Sequence, residues 1–300
     1  MTATPSHALR RVNDAQAAAL VAELERDFGQ PRPSRNTPSN PRANPGSAAV
    51  PNAYLLDALD RGEHDRFLVW PGEHPRATVY ASPTGTRVPA GDPAAGAVLA
   101  EASERIGWRV LVGDARIGDI LLNETATGVF RRRVRAREQR FMAVEAGDRA
   151  RLDAPVPAGF RPARRADLEV LVELACRLHV EDLMGPPIAR SARSGVRARM
   201  EETIERGATY VVERGGRAVG KADLSLRSRR RGAQIAGVYV DASARGRGIA
   251  TGLVAELLRR VLDEGMPSAS LHVRSDNAAG IIAYERAGLI DRGPWVLAVR

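Results

Sequence analysis

Apolar and polar residues alternate along the chain with helical and strand periods, and this pattern is interrupted twice. Residues 13–28 place their apolar side chains on one face of a helix. The first interruption repeats proline with asparagine, serine, glycine and arginine, and the second is charged and then rich in proline. The pattern predicts an N-terminal helix of the first domain (1–28), a flexible insertion (29–51), an N-terminal α/β domain (52–146), a linker (147–158) and a C-terminal domain (159–300).

In both domains, each short run of the pattern has either the helical or the strand period. In the first domain the predicted elements are a helix at 54–59, strands at 66–70 and 77–81, a helix at 94–106, a strand at 109–112, a helix at 117–125 and a closing strand pair in 134–144. In the second they are a strand at 160–163, helices at 168–178 and 193–206, strands at 208–213, 217–226 and 233–240, a helix at 247–264, a strand at 268–273, a helix at 278–287 and a strand at 295–299.

Composition favours a soluble, cytoplasmic protein. The 300 residues are 44% hydrophobic, which is enough for a core in each domain, and no apolar run is long enough to span a membrane. The N-terminus lacks the apolar segment of a secretory signal. Cys176 is the only cysteine, so the chain forms no internal disulfide, and a small core residue is a better interpretation of it than a nucleophile.

The positive charge suggests an anionic partner. The formal net charge is +9, and Lys221 is the only lysine among the basic residues. Two arginine runs, 131–133 and 229–231, would suit either nucleic acid or cofactor phosphates. No aromatic residues that stack on bases are interleaved with them. We therefore interpret both runs as solvated surface and do not expect a nucleic-acid partner.

A glycine-rich loop between a strand and a helix predicts a phosphate site. Gly246 and Gly248 allow a tight turn and a close approach to a ligand, and the following helix directs unpaired N–H groups at one point. Arg245 and Arg247 add donors that match phosphate. The spacing differs from that of a P-loop and from that of a dinucleotide fingerprint. An ordinary turn remains the alternative.

Two motifs in this half of the chain resemble those of the GNAT acetyltransferase superfamily. Arg245, Gly248 and Ala250 occupy the Arg-x-x-Gly-x-Gly/Ala pattern that follows a strand. Asn277, Tyr284 and Gly288 follow at the family's spacing, with Leu289 in place of the usual phenylalanine. The resemblance covers about the last half of the chain and implies an α/β (α+β) fold with a central mixed, mostly antiparallel sheet flanked by helices. The whole chain is similar to a two-domain bacterial subgroup, from which the proline-rich insertion departs.

The resemblance also implies the ligand and the residues that bind it. The co-substrate would be acetyl-CoA, with no metal. By position, the Val238 N–H would bind the acetyl carbonyl and Val240 the pantetheine arm. Tyr284 would be the general acid, with packing on the core as the alternative, and Asn277 would bind pantetheine, cap a helix, or both. The predicted cofactor-binding residues are Val238, Tyr239, Val240, Arg245, Gly246, Arg247, Gly248, Ile249, Ala250 and Asn277.

The general base and the acceptor site are less sharply predicted. Asp223 is the candidate base, but Lys221 lies two residues away on the same strand face, and an ion pair between them is the alternative. Glu213 is a weaker candidate next to the hairpin turn. His179, Glu181 and Asp182 lie where GNAT proteins commonly form the acceptor pocket, and an exposed acidic turn is the alternative.

Three functions remain open from the sequence. We expect an N-acetyltransferase that moves an acetyl group to a primary amine of a small molecule or peptide by direct attack in a ternary complex. The alternatives are a non-catalytic acyl-CoA binding or sensing protein and an RNA-associated acetyltransferase. The N-terminal domain has the α/β order of a degenerate GNAT-like repeat without the glycine-rich loop. We expect it to bind no acetyl-CoA, and to cover the acceptor site or to form the contact of a homodimer.

Overall fold

The computed structural model describes residues 10–27, 50–70, 75–125, 134–182 and 185–300. The chain divides into two compact units, Met1–Phe141 with Arg292–Arg300, and Met142–Asp291. The division differs from the predicted one because the C-terminal strand is counted with the first unit. The predicted insertion at 29–51 lies almost wholly outside the described residues, as does the arginine run at 131–133.

The first unit is a mixed sheet with helices. Its strands lie in the order β1-β2-β3-β4-β5-β12, and the β4–β5 pair is parallel. The elements are β1 (Arg10–Arg11), α1 (Asp14–Glu25), α2 (Ala53–Asp60), β2 (Phe67–Trp70), β3 (Ala77–Ala81), β4 (Thr86–Gly91), α3 (Gly96–Ile106), β5 (Val110–Asp114), α4 (Ala115–Thr125), most of β6 (Arg135–Glu145) and most of β12 (Ile290–Val299).

The second unit is also a mixed sheet with helices. Its strands lie in the order β11-β10-β9-β8-β7; β10 and β11 run parallel, and the other pairs are antiparallel. The elements are β7 (Phe160–Pro162), α5 (Leu168–Glu181), α6 (Arg193–Glu205), β8 (Thr209–Arg214), β9 (Arg217–Ser228), β10 (Gly232–Val240), α7 (Ile249–Asp263), β11 (Ser268–Arg274) and α8 (Ala278–Arg286).

Helices cover both faces of this second sheet. Adjacent residues of β8 point to opposite faces, so Val211 packs with α5 and α6 while Val212 packs with α7 and α8. Most residues of the core on the α7 side are leucine, valine, isoleucine and alanine, as the low aromatic content predicts. The predicted fold class, a mixed and mostly antiparallel sheet flanked by helices, is confirmed.

Two strand predictions in the first unit were wrong. Residues 86–91 form β4, which the sequence pattern did not reveal because Pro89 and Gly91 interrupt it. Pro89 is tolerated because β4 pairs with β5 only through Thr86 and Arg87, so the missing N–H falls beyond the paired part. The predicted strand pair at 134–144 is the single strand β6.

The same order of elements occurs twice along the chain. The series β1-α1-α2-β2-β3-β4-α3-β5-α4-β6 is repeated as β7-α5-α6-β8-β9-β10-α7-β11-α8-β12. In both copies the second, third and fourth strands form an antiparallel meander, and a helix then connects the fourth strand to a parallel fifth. Within the described part of the chain, no helix combines the length and apolar character required to cross a membrane.

Candidate active site

A cavity of about 580 Å³ lies in the second unit between the ends of β10 and β11. The end of α5, the first turn of α7 and one side of α8 complete its walls. Residues from five elements therefore converge on one space, and the glycine-rich loop and Tyr284 line the same cavity.

The cavity exists because two parallel strands diverge. β10 and β11 pair through Ala233–Ile235 and Ala269–Leu271. Beyond that paired part, residues 236–240 of β10 and 272–274 of β11 line the cavity. Backbone N–H and C=O groups of a strand that leaves its neighbour become available to an extended ligand.

A β-bulge lies where β10 leaves β11. Ala236 and Tyr239 of β10 pair with Asp223 and Lys221 of β9, so β10 carries one residue more than its partner. Gly237 takes up the bulge with φ +60°. A Cβ at Gly237 would lie 2.5 Å from Asp223 Oδ2, which restricts the position to glycine.

A buried ion pair supports this bulge. Lys221 Nζ donates to Asp223 Oδ2 at 2.6 Å and to the Gly237 carbonyl at 3.0 Å. Thr209 Oγ1 donates to the other carboxylate oxygen of Asp223 at 2.9 Å. Both oxygens of Asp223 are thus bonded, and Asp223 is not among the described residues of the cavity wall. This geometry favours the ion pair over the general base, the two alternatives that the sequence left open.

The glycine-rich loop forms the turn that its sequence predicts. Gly246 and Gly248 have φ values of +74° and +72°, and Gly248 is the residue before the first turn of α7. A Cβ at either glycine would meet nothing within 4 Å. The space beside both glycines is therefore open, and the first N–H groups of α7 lie beside the cavity.

The guanidinium group of Arg245 is held in place by neighbouring residues. Its Nε donates to the Val240 carbonyl at 3.0 Å, its Nη2 donates to Glu181 Oε2 at 2.6 Å, and its guanidinium lies 5.3 Å from the centre of the Tyr239 ring. The Tyr239 hydroxyl donates to Glu181 Oε1 at 2.6 Å. Burial opposes ionisation of Glu181, but these hydrogen bonds and the positive charge lower its pKa. Burial and the bond to Glu181 raise the pKa of Tyr239 to about 12.

Tyr284 and Asp182 lie together in the cavity wall. Burial, followed by the charge of Asp182, raises the pKa of Tyr284 above its usual range. Burial also raises the pKa of Asp182; Arg274 opposes this shift and Asp276 adds to it. The phenol therefore stays protonated at neutral pH, and the carboxyl binds a proton more tightly than an ordinary aspartate.

Asn277 caps α8 and also lines the cavity. Its side chain accepts a hydrogen bond from the Gly280 N–H at 2.9 Å, as the capping interpretation predicts. A Cβ at Gly280 would lie 2.7 Å from the Asn277 amide nitrogen, so glycine at this position leaves room for the cap.

Three residues of interest lie away from this wall. His179 packs against Gly185, where an added Cβ would lie 2.2 Å from its Nε2. The exposed side chain of Arg247 is not among the described residues of the wall. Glu213, the weaker candidate base, accepts from Arg161 Nε at 2.8 Å.

Sequence reasoning missed Arg274, Arg286 and His272, all of which line the cavity. Arg274 Nη1 donates to the carbonyls of Glu181 at 2.8 Å and Asp182 at 3.1 Å, and so ties the end of α5 to the end of β11. More than ninety residues separate these partners, and no local pattern predicts the contact. Among the described residues, no group of His, Cys, Asp and Glu is placed to hold a metal ion.

Comparisons with known proteins identify the family of this unit. The model of the Acetyltransferase (GNAT) family matches residues 177–289. None of the curated proteins matches the chain.

Solved structures show the same fold over the whole chain. The GCN5-related N-acetyltransferase from Sphaerobacter thermophilus is 18% identical, with a TM-score of 0.57 over 100% of this chain and 96% of that one. An acetyltransferase of the GNAT family from Colwellia psychrerythraea is 11% identical, with a TM-score of 0.54 over 97% and 98%. A tandem GNAT protein from the clavulanic acid biosynthesis pathway is 13% identical, with a TM-score of 0.52 over 98% of each chain. The resemblance seen in the sequence is therefore confirmed: residues 177–289 form an acetyltransferase domain of the GNAT family.

Proposed function

We propose that the second unit transfers the acetyl group of acetyl-CoA to a primary amine of an acceptor in the cytoplasm, by direct attack in a ternary complex. The observation that carries this proposal is that one cavity is lined by the Gly246–Gly248 turn, by the diverging end of β10 and by Tyr284. A phosphate site, a strand edge and a proton donor are the parts that an acyl-CoA transferase requires.

The cofactor would be bound mainly by backbone groups. The N–H groups at the start of α7 and of the turn before it would bind the pyrophosphate, with Ile249 and Ala250 in the first turn. The N–H of Val238 would bind the acetyl carbonyl, and Val240 the pantetheine arm, because both lie beyond the part of β10 that pairs with β11. Arg245 would shape the loop from its anchored position, while the exposed Arg247 would be available to the phosphates.

The chemistry then needs few groups. The amine nitrogen attacks the thioester carbon, the C–N bond forms, and the C–S bond breaks. The negative charge that builds on the carbonyl oxygen would be stabilised by the Val238 N–H. Tyr284 would donate its proton to the departing thiolate, because a phenol is protonated at neutral pH.

Asp182 is the group that we propose for the acceptor. It lines the same cavity as Tyr284, and a carboxylate there attracts an ammonium group. Its raised pKa also makes it a better base for the proton that the attacking amine loses. Glu181, in contrast, is occupied by Arg245 and Tyr239, so we assign it to holding the loop.

We also propose that the first unit is a degenerate repeat that binds no acetyl-CoA. Its β4 and β5 pair only through Thr86 and Arg87, much as β10 and β11 pair through a short stretch. Beyond the paired residues these two strands stay close, since a Cβ added at Gly113 would lie 3.0 Å from Pro89 Cδ, and Pro89 fills the space beside Gly113. The carboxylate of Asp92 accepts from the Ala94 N–H just before α3, where it would repel a phosphate. Covering the acceptor site and forming a dimer contact remain predictions for this unit.

The test is thiol release from acetyl-CoA by the purified full chain with a panel of primary amines. We expect release that requires an amine and that yields the acetylated amine in equal amount. Binding of acetyl-CoA without release for any amine would instead favour a sensing module. Absence of binding would contradict the proposal altogether.

A further inference from the structure

We propose that Lys221 is a positioning residue that orients and polarises the Gly237–Val238 peptide, whose N–H is the donor to the acetyl carbonyl. This inference rests on the function proposed above and adds a charged group to its electrostatics. Lys221 is the only lysine of the chain, and its side chain is 1% exposed.

Burying an ammonium group fully is energetically unfavourable, so its presence in the core requires a specific reason. Removing a lysine charge from water costs several kcal/mol unless partners replace the solvent. Here one partner is Asp223, at 2.6 Å, and another is the Gly237 carbonyl, at 3.0 Å. An apolar side chain of similar length would fill the same core without that cost, so packing alone does not explain a lysine at this position.

The carbonyl that Lys221 binds belongs to the bulge. Gly237 is the residue with φ +60°, and an added Cβ there would lie 3.0 Å from Lys221 Nζ and 2.5 Å from Asp223 Oδ2. The backbone at Gly237 therefore lies directly against the Lys221–Asp223 ion pair. We infer that the Lys221–Asp223 pair fixes the shape of the bulge.

The hydrogen bond from Lys221 to the Gly237 carbonyl also sets the direction of the Val238 N–H. The C=O of Gly237 and the N–H of Val238 belong to one planar peptide group, and no cis peptide bond occurs among the described residues. In a trans peptide these two bonds point in opposite directions. An ammonium group on the oxygen thus directs the N–H away from Lys221, and Val238 lies in the cavity wall.

The same contact strengthens the donor. A positive charge on the carbonyl oxygen draws electron density from the peptide nitrogen, so the N–H becomes more positive. The effect is useful when negative charge builds on the acetyl oxygen and has little value for coenzyme A, which lacks that carbonyl. Lys221 therefore favours the transition state over cofactor binding.

The mutational test compares Lys221→Met with Arg161→Met, which removes another ion pair of the same unit. Arg161 bonds to Asp167 and Glu213 away from the cavity. We expect Lys221→Met to lower kcat about 10- to 100-fold while coenzyme A affinity changes less than about threefold, because one polarised donor accounts for a fraction of the 10²–10³ assigned to an oxyanion contact. Arg161→Met should leave kcat within about twofold. A folded Lys221→Met protein with unchanged kcat would overturn the inference.

Two further measurements are needed if the Lys221→Met variant does not fold because Asp223 has lost its ammonium partner. The double variant Lys221→Met/Asp223→Asn carries no unpaired charge and should show the same loss of kcat. In the wild type, ¹⁵N-labelled lysine gives one ammonium signal, which should shift more with acetyl-CoA than with coenzyme A. Equal shifts for the two ligands would overturn the inference. Wild-type protein that binds acetyl-CoA but transfers no acetyl group would instead contradict the proposed function.

Discussion

At the scale of single residues, the proposed reaction depends most on Tyr284. The side chain is 8% exposed, it lies in the cavity wall, and burial and the charge of Asp182 raise its pKa. No side chain of the described part of the chain forms a hydrogen bond with its hydroxyl. A neutral phenol in this position is a proton donor that a thiolate leaving group can use.

Replacing Tyr284 with phenylalanine should slow transfer without weakening cofactor binding. The change removes the proton donor and keeps the ring that packs on the core, so we expect kcat to fall by about 10²-fold and the Kd of coenzyme A to stay within about twofold. Steady-state thiol release and calorimetric titration measure the two quantities. Undiminished turnover by the variant would leave Tyr284 with the packing role alone.

His272 should make stability depend on pH in the acidic range. Burial lowers the pKa of His272 to about 4, from 6.5 for an ordinary histidine. Between pH 6.5 and pH 4 the histidine is therefore protonated in the unfolded chain and neutral in the folded chain. The free energy of unfolding should decrease as the pH falls through this range, by up to about 3 kcal/mol. An NMR titration, assigned with His272→Gln, measures this pKa. A value near 6.5 would contradict the prediction.

The sequence predicted the loop glycines, Asn277 and Tyr284 because each belongs to a local motif. It left Asp223 undecided between base and ion pair because the two-residue spacing supports both, and only the contact to Thr209 shows that both oxygens are bonded. Arg274 and His272 belong to no motif. Arg274 reaches the cavity wall where the end of β11 meets the end of α5, which is distant in sequence.

At the scale of elements, the bulge of β10 is the feature that shapes the site. One extra residue on β10 separates the part that pairs with β11 from the part that lines the cavity. The helical and strand periods predicted β10 and α7 within two residues of their bounds. A glycine inside a strand often marks a bulge, but these periods alone do not show at which residue the pairing shifts.

Replacing Gly237 with alanine should cost more stability than the same change at Gly215. Both glycines have positive φ, +60° and +55°, so the backbone strain is similar. A Cβ at Gly215 meets nothing within 4 Å, whereas one at Gly237 collides with the Lys221–Asp223 pair. We expect Gly237→Ala to lower the free energy of unfolding by about 1–3 kcal/mol more than Gly215→Ala. Equal losses in urea denaturation would contradict the assigned geometry of the bulge.

At the scale of the whole molecule, the chain repeats one order of elements, and the cleft described above lies in the second copy. The second unit has a glycine-rich turn and an open space between its diverging strands, whereas Pro89 and Gly113 fill the corresponding space in the first. The order of predicted elements indicated a degenerate repeat, but it lacked β4, because Pro89 interrupts the strand pattern.

The repeat predicts one cofactor per chain. Calorimetric titration of the full chain with acetyl-CoA should give a stoichiometry of one, since Pro89 fills the space beside Gly113 in the first unit and Asp92 occupies an N–H group before α3. Two equivalents bound with similar affinity would contradict the closed state of the first unit.

The central claim is that the start of α7 binds the pyrophosphate of coenzyme A, and the two ends of this helix supply the matched comparison. Gly248 and Gly265 have φ values of +72° and +84°, and a Cβ at either would meet nothing within 4 Å. Alanine should therefore cost each position a similar amount of stability, on the order of 1 kcal/mol.

Calorimetric titration of Gly248→Ala and Gly265→Ala with coenzyme A is the most direct test. We predict that Gly265→Ala binds like the wild type and that Gly248→Ala binds at least about 10-fold more weakly, because its Cβ occupies the space through which the pyrophosphate approaches the backbone. Equal affinity of the two variants would contradict the claim.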